Sequence, residues 1–318
     1  MRILYLPLLA KGGANEQYDL LEAFRNRHDV EVVDYLNVAD PNGKLIAAYD
    51  AFQPDVVHGQ FQETNKIASG VLRNLKARKP SVIFTQWTGD VRTYIVPHVV
   101  DIGRQVDFTL FSNHGDLLRY REATGRPTAY WQNAVGGRFF PEPAPRDGSV
   151  VFCGNQYGHF PASHERCVLV DALRAKFGGQ FKHFGSGWGP PVTPLVWERQ
   201  PDVYRTASVT VGHNHIPDID GFFSDRQLIA MASGAPHVCR NGPGLKKIFE
   251  DGVHCLFWDT VEQAVEHVAW CLNHPGEAST IGEAGRKEVL RAHTWDVRVR
   301  EYEELLQTLP LDRGDPHA

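Results

Sequence analysis

Short apolar runs alternate with helix-length segments along the whole chain, and this alternation restricts the possible folds more than any other feature. Runs at 3–6, 30–33, 56–58, 81–85, 108–111 and 128–131 are rich in β-branched and aromatic residues. Between them, 16–26, 45–52, 65–77 and 115–123 have the length and pattern of helices. Strands separated by helices of this size predict βαβ units and a parallel sheet. Phe140-Pro-Glu-Pro-Ala-Pro-Arg-Asp-Gly148 then interrupts the pattern with three prolines and reads as a linker. A second series comes after it, with strands at 150–153, 181–184 and 209–212. Its helices are expected at 166–176, after 224, and at 260–272, 277–291 and 294–308. The expectation is an α/β chain of two Rossmann-like domains, residues 1–143 and 144–318.

Composition narrows the class. A chain of 318 residues with 22% charged and 42% hydrophobic residues suits two globular domains with cores of their own. The apolar start, Met1 to Ala10, is too short to span a bilayer and reads as a buried first strand. Five scattered cysteines with no C-x-x-C pair argue for free thiols in a reducing, cytoplasmic setting and against a zinc site. Residues 1–140 carry 16 Lys/Arg against 15 Asp/Glu, and the remainder 17 against 23. No basic run exceeds Lys76-Ala-Arg-Lys79, so composition gives nucleic-acid binding little support.

One segment carries a labelled helix start: Gly221-Phe-Phe-Ser-Asp-Arg-Gln-Leu-Ile-Ala-Met-Ala-Ser-Gly234. Ser224 and Gln227 have the spacing of a capping box, and Gly234 marks the stop. Such a start offers unpaired N–H groups and the positive end of the helix dipole to an anion such as a diphosphate. In open parallel sheets ligands sit beyond the carboxyl ends of the strands. The loops expected there are Lys11-Gly12-Gly13, Cys153-Gly154-Asn155 and Gly185-Ser186-Gly-Trp-Gly189, with Arg166 opening a helix nearby. Arg166 and Arg226 are candidates for gripping phosphate oxygens, because a guanidinium bonds them as a fork. Lys11–Gly13 fits an ordinary turn equally well, and His58 fits a buried core histidine equally well. Asp90 suits either a general base or a turn cap. His213-Asn-His215 and Asp218-Ile-Asp220 contain metal-ligand types, but read better as a polar loop lining a cleft.

The stretch from Gly221 to Trp295 resembles the donor-binding domain of group 1 (family 4-like) glycosyltransferases, and most closely the spore-maturation-type branch. The matching pieces are Phe223-Ser-Asp-Arg226 with Met231-Ala-Ser-Gly234, Gly244 to Gly252, Asn273-His-Pro275, Gly282-Glu-Ala-Gly-Arg286 and His293-Thr-Trp295. Pro54-Asp-Val-Val-His58, Phe84-Thr-Gln-Trp-Thr-Gly-Asp90 and Gln132-Asn-Ala-Val135 extend the resemblance through the first half.

The resemblance implies the GT-B architecture, two Rossmann-like domains whose parallel sheets face each other across a cleft. It also implies that the C-terminal helix, about 294–310, packs back on the first domain. The implied activity is hexosyl-type transfer from a nucleotide-diphosphate sugar to an acceptor hydroxyl, with retained configuration and no metal or other cofactor. Gly154, Asn155, Arg166, Gly185, Ser186, Asp220, Ser224, Asp225 and Arg226 would hold the donor. His58, Asp90 and Arg226 would be catalytic. Lys11, Gly12, Gly13, Gln60 and Trp87 would line the acceptor side. Two departures stand out. Gly221 and Ile229 occupy the positions of two family glutamates, and Trp87 replaces a frequent histidine. The missing glutamates leave a non-catalytic sugar-nucleotide or glycan-binding module open. Trp87 as a stacking surface leaves open a transferase acting on a hydroxylated DNA base.

Overall fold

The structure, a computed structural model, describes residues 1–9, 16–61, 66–142 and 144–308. These divide into two compact units, Met1–Gln132 with Trp295–Ala318, and Asn133–Thr294. The Pro-rich 140–148 segment lies inside the second unit. No helix among the described residues is long and apolar enough to cross a membrane.

The first unit holds six strands, β1 (Arg2–Leu6), β2 (Asp29–Val32), β3 (Val56–Gly59), β4 (Ile83–Thr88), β5 (Phe108–Phe111) and β6 (Thr128–Tyr130). All pair in parallel, in the order β2-β1-β3-β4-β5-β6. Its helices are α1 (Glu16–Arg25), α2 (Pro41–Phe52), α3 (Ser69–Arg78), α4 (Pro97–Gly103), α5 (Gly115–Thr124) and, from the far end of the chain, α11 (Trp295–Thr308). The inner strands β1, β3, β4 and β5 are buried on both faces, as parallel strands between helix layers are, while the edge strands β2 and β6 are partly exposed. Alternation along β3 therefore has a consequence. Val57 joins Leu4, Leu6 and Phe84 in the core on one face. His58 turns to the other face, among Tyr5, Phe24, Trp131 and Tyr302 of the layer that contains α1 and α11.

The second unit holds β7 (Val150–Cys153), β8 (Phe181–Phe184), β9 (Val209–Gly212), β10 (His237–Arg240) and β11 (Leu256–Trp258). They form a parallel sheet in the order β11-β10-β9-β7-β8. Its helices are α6 (Ser163–Phe177), α7 (Gln200–Tyr204), α8 (Asp225–Ala232), α9 (Val261–Asn273) and α10 (Pro275–Ala292). Val150, Phe152, Val209 and Val211 face a core with α6 and α9, while Val151 and Cys153 face one with α8. Sequence periodicity misses β10, β11, α4 and α7. Each is short, three to seven residues, and gives too few turns or alternations for a period to show.

Both sheets reverse direction of winding at one place. In the second unit β8 and β9, the next two strands in sequence, lie on opposite sides of β7, so the switch point falls between β7 and β9. The loops leaving those two strands diverge there and open a crevice for a ligand. In the first unit the switch falls between β1 and β3. The loops leaving them contain 10–15 and 62–65, so Lys11, Gly12 and Gly13 lie outside the described residues.

Candidate active site

The loop after β7 and the loop after β9 meet at the side chain of Arg166. Arg166 lies on the first turn of α6 and is only 1% exposed. Its Nη1 donates to the carbonyl of Asn155, and its Nη2 donates to the carbonyl of His213 at 2.5 Å. Nη1 also lies 2.6 Å from His215 Nε2. The same Nε2 lies 3.0 Å from the Asn155 carbonyl, and Nδ1 of the ring is buried with no partner among the described residues. Burial, then the nearby arginines, pushes the His215 imidazole down to about 3, which keeps it neutral.

The neighbouring carboxylate does not neutralise Arg166. Glu165 accepts from His213 Nε2 at 3.0 Å and from Arg240 Nε at 3.1 Å. The hydrogen bond from His213, with the Arg240 charge beside it, holds Glu165 below the usual carboxylate range. Arg166 is held well below its ordinary value by burial and next by the charge of Arg226. Arg226 itself makes no hydrogen bond or ion pair among the described residues. Two guanidiniums thus share one region, one buried and one half-buried, without a carboxylate on either. Uncompensated buried charge is expensive. Neither guanidinium is balanced by a carboxylate among the described residues.

A cavity of about 120 Å³ stands at this place, lined by Gly154, Asn155, Gly185, Trp197 and Arg226 among others. Its walls touch because two glycines permit it. Gly185 has φ 147°, and a Cβ there would lie 2.1 Å from the carbonyl oxygen of Gly154. Asn155 locks the same junction, its Oδ1 accepting from Ser186 N at 2.8 Å and its Nδ2 donating to the Tyr157 hydroxyl. A second, smaller chamber shares Cys153 and Arg226 with the first and reaches Ser224, Gln227, His213 and His237.

Ser224 is the N-cap of α8, but the expected capping box does not form: its side chain accepts no bond from the helix. Gln227 is buried, its Nε2 has no partner among the described residues, and its Oε1 accepts no bond from Ser224 N–H there. The first N–H groups of a helix have no intrahelical partners of the i−4 kind; here Gln227 N–H turns back to the Ser224 carbonyl at 3.1 Å, and the cap side chain covers neither Asp225 N–H nor Arg226 N–H. Gly234 ends the helix with φ 73°, as the sequence predicts. At that end Arg146 bonds the carbonyl of Ser233, and Arg286 that of Ala232. These two cations balance the negative pole of α8.

Other expected residues fall elsewhere. Asp225 is committed to Trp197, whose Nε1 it accepts at 2.6 Å. Asp220 is exposed and lines neither chamber. Ile229 is wholly buried. His213 and His215 are the hydrogen-bonding partners of Arg166 rather than a metal pair.

In the first unit two expectations need correction. His58 is wholly buried, its Nδ1 2.8 Å from Thr85 Oγ1, and burial pushes it down to about 3. It is a neutral core histidine with no path to a substrate proton. Trp87 is also wholly buried, its ring packed against Trp131 and Trp295 and its Nε1 donating to the Trp131 carbonyl. It offers no face for a sugar or a base to stack on. Gln60 is buried, and its carbonyl accepts from the Tyr35 hydroxyl. Asp90 is exposed and lies 3.4 Å from Arg92.

Sequence reasoning passed over His237 and Gln200, which line these chambers. Neither has a signal in the sequence: His237 opens a four-residue strand, and Gln200 a helix of one turn.

Residues 166–304 match the family model described as glycosyl transferase-like. Several solved structures resemble nearly the whole chain. Anabaena HepE in complex with UDP-glucose is 15% identical with a TM-score of 0.70, covering 97% of this chain and 100% of that one. A glycosyltransferase from Rickettsia africae is 14% identical, with a TM-score of 0.65 and coverage of 97% and 98%. Sucrose-phosphate synthase from Thermosynechococcus elongatus is 13% identical, with a TM-score of 0.65 and coverage of 97% and 99%. The likeness establishes the fold as the α/β GT-B type, with two parallel sheets of six and five strands. No curated protein sequence matches the chain.

Proposed function

We propose that this protein is a glycosyltransferase that takes a sugar from a nucleotide-diphosphate donor and passes it to an acceptor hydroxyl. The observation that carries the reading is the pair Arg166 and Arg226, cationic and uncompensated, beside the open N-terminus of α8. The family match over 166–304 spans these residues, and HepE, which has this fold, has been solved with UDP-glucose bound.

The chemistry follows from charge. Cleaving the sugar–phosphate bond leaves the diphosphate with additional negative charge. Prearranged guanidiniums and helix N–H groups stabilise that charge more in the transition state than in the bound donor. This provides the function a divalent cation would otherwise serve, so the reading has the reaction proceed without a metal. Arg226 is the residue with donors to spare, and Arg166 fixes the Asn155 and His213 backbone around the site. Retention of configuration, hexosyl specificity and the spore-maturation-type branch are the finer parts of the proposal, supported by the motif resemblance. Asp90, exposed in the first unit, is the carboxylate this reading keeps as catalytic.

One observation favours a second reading. Gly221 and Ile229 stand where family glutamates are expected, and Ile229 is buried, which suits a module that binds sugar nucleotides without turnover. Mass spectrometry of reactions with a donor and acceptor panel separates the two. Sugar transfer, or donor hydrolysis without acceptor, that disappears in Arg226→Ala supports the enzyme. Tight nucleotide binding with no product across the panel rejects it.

A further inference from the structure

A second cavity, of about 560 Å³, opens at the other edge of the second unit's sheet. Gly148, Ser208 and Pro236 line it, and they come just before β7, β9 and β10. The candidate active site is built from residues that come after those strands, so the sheet separates the two. The volume falls within the range of small-molecule sites.

Its wall has a definite chemistry. Two cations, Arg146 and Lys176, line it, and no carboxylate does. This is notable in a half of the chain where acidic residues outnumber basic ones, 23 to 17. Lys176 is exposed and has no hydrogen bond or ion pair among the described residues. Arg146 donates to the carbonyls of Arg205, Ala207 and Ser233 and makes no ion pair among the described residues, the Glu283 charge reaching it only through space. Burial, then the charge of Arg286, pushes Arg146 below its ordinary value. Phe177 and Leu272 supply an apolar wall, and Ser279, in the second turn of α10, faces the same space. An anion alone would leave the apolar wall unused, and an apolar molecule alone would leave both cations unpaired.

We propose that this cavity binds a small organic phosphate, with the phosphate between Arg146 and Lys176 and the apolar body against Phe177 and Leu272. The assignment is independent of glycosyl transfer at the other edge of the sheet. Calorimetry on the full chain with phenyl phosphate tests it, with inorganic phosphate and phenol run in parallel. Phenyl phosphate is expected to bind at least tenfold more tightly than either fragment. Lys176→Glu, at an exposed position without partners, should weaken binding at least tenfold. Ser279→Trp, which fills the space, should do the same, and Arg226→Ala should leave it unchanged. The proposal is overturned by absence of binding at millimolar phenyl phosphate or by equal affinity for inorganic phosphate. It is overturned equally by affinity unaltered in both Lys176→Glu and Ser279→Trp, or lost in Arg226→Ala.

Discussion

Arg166 Nη2 lies 2.5 Å from the carbonyl oxygen of His213, and this bond ties the loop after β9 to a buried guanidinium that no carboxylate neutralises. The loop after β7 is tied to the same group through Asn155. A bare cation is thereby built into the switch point of the sheet, where the topology opens a crevice.

Arg226 should act on the ligand and leave the fold intact, because its side chain bonds nothing among the described residues. A charge-assisted hydrogen bond contributes about 1.5–3 kcal/mol, so Arg226→Ala is expected to cut turnover by roughly 10- to 100-fold. The melting temperature should move by less than about 2 °C, as for a partly exposed side chain without partners. Steady-state kinetics beside a thermal melt checks both halves.

Gly185 should tolerate no side chain. Its φ of 147° and the 2.1 Å approach of the Gly154 carbonyl to a built Cβ mean that Gly185→Ala must displace backbone. The expected cost is about 1–3 kcal/mol, with weakened nucleotide binding because Gly154 and Asn155 move. Urea unfolding of the variant measures the first effect and calorimetry the second.

Acid should unfold this protein through its buried histidines. His58 and His237 are pushed down to about 3 from an ordinary 6.5, in both cases by burial. Between those values the unfolded chain binds protons that the folded chain cannot. Stability is therefore complete above pH 6.5 and falls as pH drops toward 3. The slope approaches roughly 1.4 kcal/mol per pH unit for each histidine, or on the order of 2 kcal/mol each between pH 6.5 and 5. Urea midpoints across that range measure the slope, and His58→Leu should reduce it. A flat profile would show that both rings accept protons in the folded state.

Trp87 should prove a stability residue. Trp87→Ala empties a cluster shared with Trp131 and Trp295 and is expected to cost about 3–5 kcal/mol. Trp87→Phe, which keeps most of the volume, should leave the acceptor KM unchanged. A KM shift with unaltered stability would restore the ring to the site.

The legible and illegible parts of this chain divide along physical lines. The βα alternation, the strands at 3–6, 108–111 and 150–153, and the stop at Gly234 rest on local pattern and are readable from neighbouring residues. The same logic places Gly154, Asn155, Arg166, Gly185 and Arg226 on one ligand edge; all but Arg166, which is buried behind the loops, line one cavity. Burial at the end of β3 was not readable. A motif histidine and a catalytic histidine look alike in sequence, and only the aromatic layer from Phe24, Trp131 and Tyr302 distinguishes them. Two of those three residues lie more than 70 positions from His58. The capping box failed for a similar reason: Gln227 faces a chamber formed with β9 and β10 instead of turning back to Ser224.

The central claim is that the second unit holds a nucleotide diphosphate through Arg226, in a site whose loops the buried Arg166 fixes. Titration calorimetry with UDP, GDP and ADP on the wild type and Arg226→Ala tests it directly. At least one nucleotide should bind the wild type in the micromolar range and lose at least tenfold in the variant. No heat from any of the three up to millimolar concentration, or equal affinity in both proteins, would contradict the account.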